Sequence, residues 1–81
     1  MMDELLLFKL ETRAFRAYFL VEAREGRRAD ETVRARHVGL DGKNYVVLRN
    51  LVGYTVAVYR VRNDGMLKRL RRWPSELGDE A

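Results

Sequence analysis

The stretch KNYVVLRNLVGYTVAVYRVRNDGMLKRLRR, residues 43–72, decides the fold of this chain. It contains two runs rich in Val and Tyr, a composition typical of β-strands, and a third run that returns after an Asp-Gly turn. The runs cover residues 43–49, 54–61 and 66–72. Turns that contain glycine separate them, and Asp64-Gly65 between two β-patterned runs is a strong hairpin signal. We therefore predict a C-terminal three-stranded antiparallel meander.

The register of the last hairpin is left open by the sequence. A two-residue turn and a three-residue turn with a glycine bulge differ by one residue in how residues 66–72 pair. A slip of one residue exchanges the two faces of a strand. The sequence therefore does not decide which arginines of this hairpin share a face. In either register we expect Pro74 to end the third strand, because proline has no N–H for the ladder.

Residues 4–25 allow two interpretations. As a helix, the segment would be capped by Asp3 and terminated by Gly26. Its apolar residues, however, fall into two stripes instead of one. As a hairpin, residues 15–24 show the apolar–polar alternation of a half-buried strand. We favour the hairpin, with the helix as the alternative.

Between Gly26 and Gly39 we predict a short helix, capped by Asp30 and terminated by Gly39. A further strand is the alternative, since the apolar positions from Val33 onward also alternate. In either case the expected fold class is α+β, a small antiparallel sheet with one helix packed on it. A small all-β barrel is the alternative. We expect one domain over residues 1–77 and a frayed tail over residues 78–81.

The composition argues against an enzyme. The chain has 81 residues, no Cys and a single His, and its one serine, Ser75, lies beside Pro74. A Ser/His/acid or Cys/His arrangement therefore has almost no residues to draw on. One histidine, His37, among scattered acids does not make a zinc site. We expect no catalytic residues, no metal and no cofactor.

No segment resembles an export signal or a membrane span. The first apolar run, residues 5–8, is far shorter than the about 20 residues that a membrane helix needs. It also follows acidic residues, whereas a signal peptide begins with basic ones. We expect a cytoplasmic protein that does not bind membranes.

The positive charge is concentrated in one segment. The chain has a formal net charge of +4, yet residues 1–42 are balanced and residues 43–73 carry eight Lys or Arg against Asp64 alone. Clustered cations are suited to phosphates, and aromatic faces stack on exposed bases. The candidate nucleic-acid-binding residues are Arg60, Arg62, Lys68, Arg69, Arg71 and Arg72, with Tyr59 and Trp73 for stacking.

These features predict a non-catalytic accessory protein that binds nucleic acid or an acidic protein through an Arg-rich β-hairpin. The alternative is a protein–protein interaction module or homodimer without a nucleic-acid role. It rests on the Leu- and Phe-rich segment of residues 5–23. Either interpretation of that segment leaves more apolar surface than so small a chain can cover by itself.

Overall fold

A computed structural model describes residues 4–78 as one α-helix packed on a four-stranded antiparallel sheet. The elements are α1 Glu4–Arg24, β1 Arg34–Leu40, β2 Lys43–Arg49, β3 Thr55–Val61, β4 Leu67–Arg69 and a 3-10 turn at Ser75–Leu77. The strand order is β1-β2-β3-β4, with β1 and β4 at the edges. The predicted α+β class is confirmed, and because the sheet is open, the alternative of a closed barrel is wrong.

The N-terminal segment is the helix α1, so the hairpin that we favoured for it is wrong. Leu10, Ala14 and Tyr18, spaced four residues apart, are all buried and form one stripe against the sheet. The segment resembles a strand because a helix with two apolar stripes has apolar residues on two of its sides. In the sequence of residues 15–24, apolar residues therefore recur at every second position, as they do in a half-buried strand. The predicted N-cap, Asp3, lies outside the described residues.

Gly26 ends the helix with a φ of 73°, as the helical alternative predicted. Its N–H donates to the Ala23 carbonyl at 3.2 Å, and the Arg27 N–H donates to the Glu22 carbonyl at 2.8 Å. These are the two bonds of a Schellman motif. The side chains of Glu22 and Arg27 are also joined, because Arg27 Nε and Nη2 each donate to a Glu22 carboxylate oxygen at 2.9 Å. Side chains thus reinforce the backbone cap.

The short helix predicted between Gly26 and Gly39 is wrong, since Arg34–Leu40 is the strand β1. Asp30, the predicted cap, instead accepts hydrogen bonds from the Thr32 N–H at 2.8 Å and the Thr32 hydroxyl at 2.6 Å. This Asx-type turn is a local alternative to helix that aspartate favours. The Asp30 N–H donates to the Tyr18 hydroxyl at 3.0 Å, which fixes the loop to α1.

The predicted meander is confirmed, with its third strand shortened to Leu67–Arg69 and ending well before Pro74. The open register is that of a three-residue turn. Arg62 N–H donates to the Met66 carbonyl at 2.8 Å, and Gly65 N–H donates to the Arg62 carbonyl at 2.9 Å. Gly65 has a φ of 82°, the bulge conformation that favours glycine.

Each face of the sheet carries its own core. On one face, α1 packs its buried stripe against Val46, Leu48, Ala57 and Tyr59. The other face, called the outer face from here on, holds a smaller cluster of Tyr45, Val47, Val58 and Leu77. Leu77 comes from the 3-10 turn and is fully buried. The C-terminal segment therefore covers the middle of the outer face.

Hydrogen bonds attach this C-terminal segment to the sheet. Arg49 Nη2 donates to the Leu77 carbonyl at 3.0 Å, and the Thr55 hydroxyl donates to the same oxygen at 3.4 Å. Trp73 Nε1 donates to the Gly78 carbonyl at 3.0 Å. Gly78, where we predicted the tail to begin, is thus bonded to Trp73. Residues 79–81 of the predicted tail lie outside the described residues.

Candidate functional site

Six cationic side chains belong to the outer face of the sheet. Arg34 and Arg36 alternate along β1 with Ala35, which packs in the core beneath α1. They share the outer face with Val38 of the same strand, which packs in the outer cluster. The cross-strand register adds Lys43, Arg49, Arg60 and Lys68 to this face. These six residues, Arg34, Arg36, Lys43, Arg49, Arg60 and Lys68, are called the cationic set below.

No carboxylate lies in any of the four strands of the described chain. The carboxylates of residues 4–78 that are closest in sequence to the strands of the meander lie in turns: Asp41, Asp64 and Glu76. Asp64 lies 3.4 Å from Arg62 Nη2, so it neutralises part of the hairpin turn and none of the cationic set. The strand positions of the outer face therefore form a surface with charge of one sign.

Two pairs of the cationic set lie directly opposite each other on neighbouring strands. Arg34 pairs with Arg49 across β1 and β2, and Arg60 pairs with Lys68 across β3 and β4. Like charges at directly opposed positions destabilise a sheet. Both pairs therefore place like charges side by side, and in the first pair Arg49 also donates a hydrogen bond to the Leu77 carbonyl.

The corner of the outer face at the β3–β4 hairpin forms a shallow recess of about 700 Å³. It is lined by Arg60, Arg62, Asn63, Asp64, Leu67 and Lys68. Its lining holds three cations against one carboxylate, so the recess carries a net positive charge. The hairpin register creates this recess, because it puts Lys68 beside Arg60 and on the face opposite to Arg69.

Arg69 and Tyr59, both in the predicted site, lie on the other face of the sheet, under α1. Arg69 Nη2 lies 3.7 Å from a Glu22 carboxylate oxygen, and the Arg69 guanidinium lies 5.9 Å from the centre of the Tyr18 ring. Tyr59 is 2% exposed, and its burial raises the pKa of its hydroxyl. Tyr59 therefore belongs to the core between helix and sheet, where a base cannot stack on it. The Arg69 side chain stays 32% exposed and lines the groove described next.

The remaining predicted residues follow β4. Arg71 and Trp73 line an open groove of about 440 Å³ beside the end of α1, together with Arg69, Arg27 and Glu25. Trp73 is half-buried, and Arg72 is exposed. The groove mixes both signs of charge, because Glu25 pairs with Arg27. The structure thus brings Arg60, Arg62 and Lys68 together, and Trp73 packs at the edge of the same face. The other predicted residues are Tyr59, Arg69, Arg71 and Arg72, which do not line the recess.

Sequence reasoning missed the four other members of the cationic set. Arg34 and Arg36 stand in a half of the chain whose charges balance, which hid them. Lys43 and Arg49 were counted in the basic segment but were not assigned to the site. The signal that could have found Arg34 and Arg36 is their alternation with Ala35 and His37, which marks one face of a strand. In the sequence this alternation supports only the alternative of a strand between Gly26 and Gly39, and not the favoured helix.

Other chemistry finds little support within residues 4–78. His37 Nε2 lies 3.1 Å from the side-chain oxygen of Asn44, so the single histidine has a structural role in a hydrogen bond between β1 and β2. No group of three or more His, Asp or Glu in this part of the chain is arranged to hold a metal ion. Among the described helices, none combines the length and the apolar character that crossing a membrane requires.

Comparisons with known proteins add no identity. No protein-family model matches the chain, and no curated protein or solved structure is significantly similar to it. Function must therefore be argued from the site itself.

Proposed function

We propose that this chain is an accessory protein that binds single-stranded nucleic acid through the outer face of its sheet. The observation that carries the proposal is the cationic set, six cations on four strands that contain no carboxylate. Phosphates are the anions that recur at the spacing such a surface offers. Across the sheet, β1 and β4 lie about 14 Å apart, three inter-strand spacings. Because the segment of Leu77 covers the middle of this face, the nucleic acid would contact the cations that lie around that segment.

The residue types support phosphate over carboxylate partners. Four of the cationic set are arginines, whose planar guanidinium donates two parallel hydrogen bonds to a phosphate. The opposed pair of Arg60 and Lys68 would share one phosphate or two successive ones. Such contacts hold the backbone and do not read bases. We therefore expect weak sequence preference.

An argument for single strands comes from the aromatic residues beside the surface. Trp73 packs at the edge of the outer cluster and stays partly exposed. Tyr54, just before β3, is 53% exposed. Aromatic rings beside a basic sheet surface favour unpaired bases, which stack on them, over the interior of a duplex. We keep Trp73 from the predicted stacking residues and omit Tyr59.

The test uses the double variant R60E/K68E. It replaces one like-charged pair by another, so the sheet experiences similar repulsion while the recess loses its cations. The control is R24E/R28E, which changes the net charge equally at two exposed arginines near the end of α1. Binding is measured by fluorescence anisotropy with a labelled mixed-sequence single-stranded oligonucleotide at 50 mM and 200 mM salt.

We expect wild-type affinity to fall steeply with salt. The slope of log K against log salt should be about −3.5 for the five members of the cationic set other than Arg49, whose guanidinium donates to the Leu77 carbonyl. R60E/K68E should bind at least about tenfold more weakly than R24E/R28E and show a slope shallower by about 1.4. Equal affinity in the two variants would mean that only net charge matters and would refute the assigned surface. Absence of binding at 50 mM salt would remove the function itself.

A single variant separates a functional arginine from a structural one. R60E places a glutamate opposite Lys68, which converts a repulsive pair into an attractive one. We expect its free energy of unfolding to rise by a few tenths of a kcal/mol, while its affinity for the oligonucleotide falls. Stability gained at the expense of binding is typical of residues kept for function. A loss of stability in R60E would contradict this interpretation of the pair.

A further inference from the structure

The helix α1 carries a second apolar stripe, which is exposed except at Phe15, a residue half-buried against the core cluster. The residues of this stripe are Leu5, Phe8, Thr12, Phe15 and Phe19, spaced alternately by three and four residues. That spacing is the a and d pattern of a coiled-coil seam. Leu5 and Phe8 are 63% and 65% exposed, and Phe19 is 37% exposed. At 100° per residue the stripe lies about 140° around the helix from the stripe that packs on the sheet, so a partner helix has access to it.

Charges of opposite sign flank the two sides of this seam. Glu4 and Glu11 occupy the g positions on one side, and Lys9 and Arg16 occupy the e positions on the other. Each acid precedes its base by five residues, a spacing that puts the two on different sides of one helix. None of the four makes an ion pair within residues 4–78. Their charges are therefore available to a second chain.

We infer that α1 pairs with α1 of a second copy of this chain in a parallel, two-fold symmetric seam. In a parallel pair, each g position lies beside the e position five residues later in the partner helix. Glu4 then meets Lys9 of the second copy, Glu11 meets Arg16 of the second copy, and the two-fold axis repeats both pairs. An antiparallel pair would instead place acid beside acid and base beside base. The charge pattern thus selects both the partner and its orientation.

The fold supports a seam as short as two heptads. Isolated helices of this length are marginal because forming the helix is itself unfavourable. Here α1 is already formed by packing on the sheet, so association does not have to supply that free energy. The seam ends at Phe19, because the next seam position is Glu22, which is buried and paired with Arg27 of its own chain. This inference is independent of the proposed nucleic-acid surface, which lies on the opposite side of the sheet.

The first experiment is sedimentation equilibrium without nucleic acid. We expect wild type to have twice the mass of the chain at tens of micromolar. E4K/E11K places base beside base in the parallel seam and should dissociate to monomers. The fourfold variant E4K/K9E/E11K/R16E exchanges the two flanks, restores opposite charges, and should be dimeric again. The control E31K/E76K makes the same change in net charge at exposed acids outside the helix and should remain dimeric.

Orientation is tested in the same cysteine-free chain. In a parallel seam L5C lies beside L5C of the second copy and should form a disulfide-linked dimer under mild oxidation. In an antiparallel seam each a position lies beside a d position of the partner helix, so a mixture of F8C and F19C would cross-link between the two variants. The control is L20C, at an exposed position outside the seam, which should stay largely uncross-linked.

Each outcome of these experiments bears on one part of the inference. A wild-type monomer at 100 µM, or a dimer that persists in E4K/E11K, would overturn the seam. Failure of the fourfold variant to recover the dimer would overturn the charge pairing, provided that circular dichroism shows the wild-type helix content. Cross-linking of F8C to F19C, without a disulfide-linked L5C dimer, would overturn the parallel orientation.

Discussion

Substitution of Gly78 by alanine should release the C-terminal segment from the outer face. Gly78 has a φ of 121°, a conformation that residues with a side chain rarely adopt. A Cβ at this position would clash with the Thr55 hydroxyl oxygen, far inside van der Waals contact. The backbone strain alone is of order 1–3 kcal/mol, and the clash adds to it. We expect a loss of about 3 kcal/mol unless the segment detaches.

Detachment sets a ceiling on that loss. If residues around the 3-10 turn leave the sheet, the chain exposes Leu77, which is fully buried, and exposing a leucine costs about 1.5–3 kcal/mol. The hydrogen bonds from Arg49 and Thr55 to the Leu77 carbonyl are lost as well. Detachment is thus close in free energy to the strained attached state. G78A should therefore lower the melting temperature by about 10–20 °C and loosen the segment well below that temperature.

The assay follows the only tryptophan of the chain, Trp73. Its indole N–H donates to the Gly78 carbonyl, so its fluorescence reports the attachment of the segment, while far-UV circular dichroism reports the helix and sheet. We expect the fluorescence transition of G78A to precede the dichroism transition. In wild type the two transitions should coincide.

Two further variants separate strain from clash. Gly53 has a φ of 102°, but a Cβ at this position would have no neighbouring atom within 4 Å, so G53A measures the backbone strain with no clash. In the double variant T55A/G78A the hydroxyl that would clash is absent, so part of the loss should be recovered relative to the sum of the single variants. If G78A is no less stable than G53A, the close contact with Thr55 does not exist in solution and the reasoning is refuted.

Two other predictions concern the end of α1. E22Q should lower the melting temperature by several degrees at pH 7, because a hydrogen bond from Arg27 lowers the pKa of the buried Glu22 carboxyl. This stabilisation is complete above the ordinary carboxyl pKa and disappears as the pH falls through the lowered value. The melting curves of wild type and E22Q should converge in acid, and a pH-independent difference would contradict the pairing. Y18F removes the hydroxyl that accepts the Asp30 N–H and should cost about 1 kcal/mol in denaturant unfolding; an unchanged midpoint would show that the loop is held by other contacts.

The local parts of the fold were accessible to sequence reasoning because their determinants lie within a few residues. Asp64-Gly65 and Gly53 mark the turns of the meander, and both glycines have positive φ in the structure. Gly26 marks the end of the helix for the same reason. Each of these signals is a backbone conformation that glycine adopts without steric strain. The tertiary structure leaves these glycine conformations as the local sequence predicts them.

The choice between helix and strand for the first segment was not local. Its apolar residues fit a helix that packs one stripe on a sheet and leaves the other stripe uncovered. They fit equally well the apolar–polar alternation of a half-buried strand. Only the sheet, formed by residues 34–69, supplies the surface that buries Leu10, Ala14 and Tyr18 together. The helix predicted between Gly26 and Gly39 was wrong for the same reason. Residues 34–40 pair with the edge of β2 and form a strand, although their local sequence also contains helical signals.

The candidate site shows the same division. Sequence alone established that residues 43–73 are basic and β-rich, because composition and alternation are properties of the chain itself. The faces of its cations were decided by the three-residue turn at Gly65 and by the pairing of β1 with β2, which are properties of the assembled sheet. The assembled sheet placed Tyr59 and Arg69 under α1 and brought Arg34 and Arg36 to the outer face. A one-residue difference in register inverts a strand, so charge could be counted from the sequence, whereas its placement required the tertiary structure.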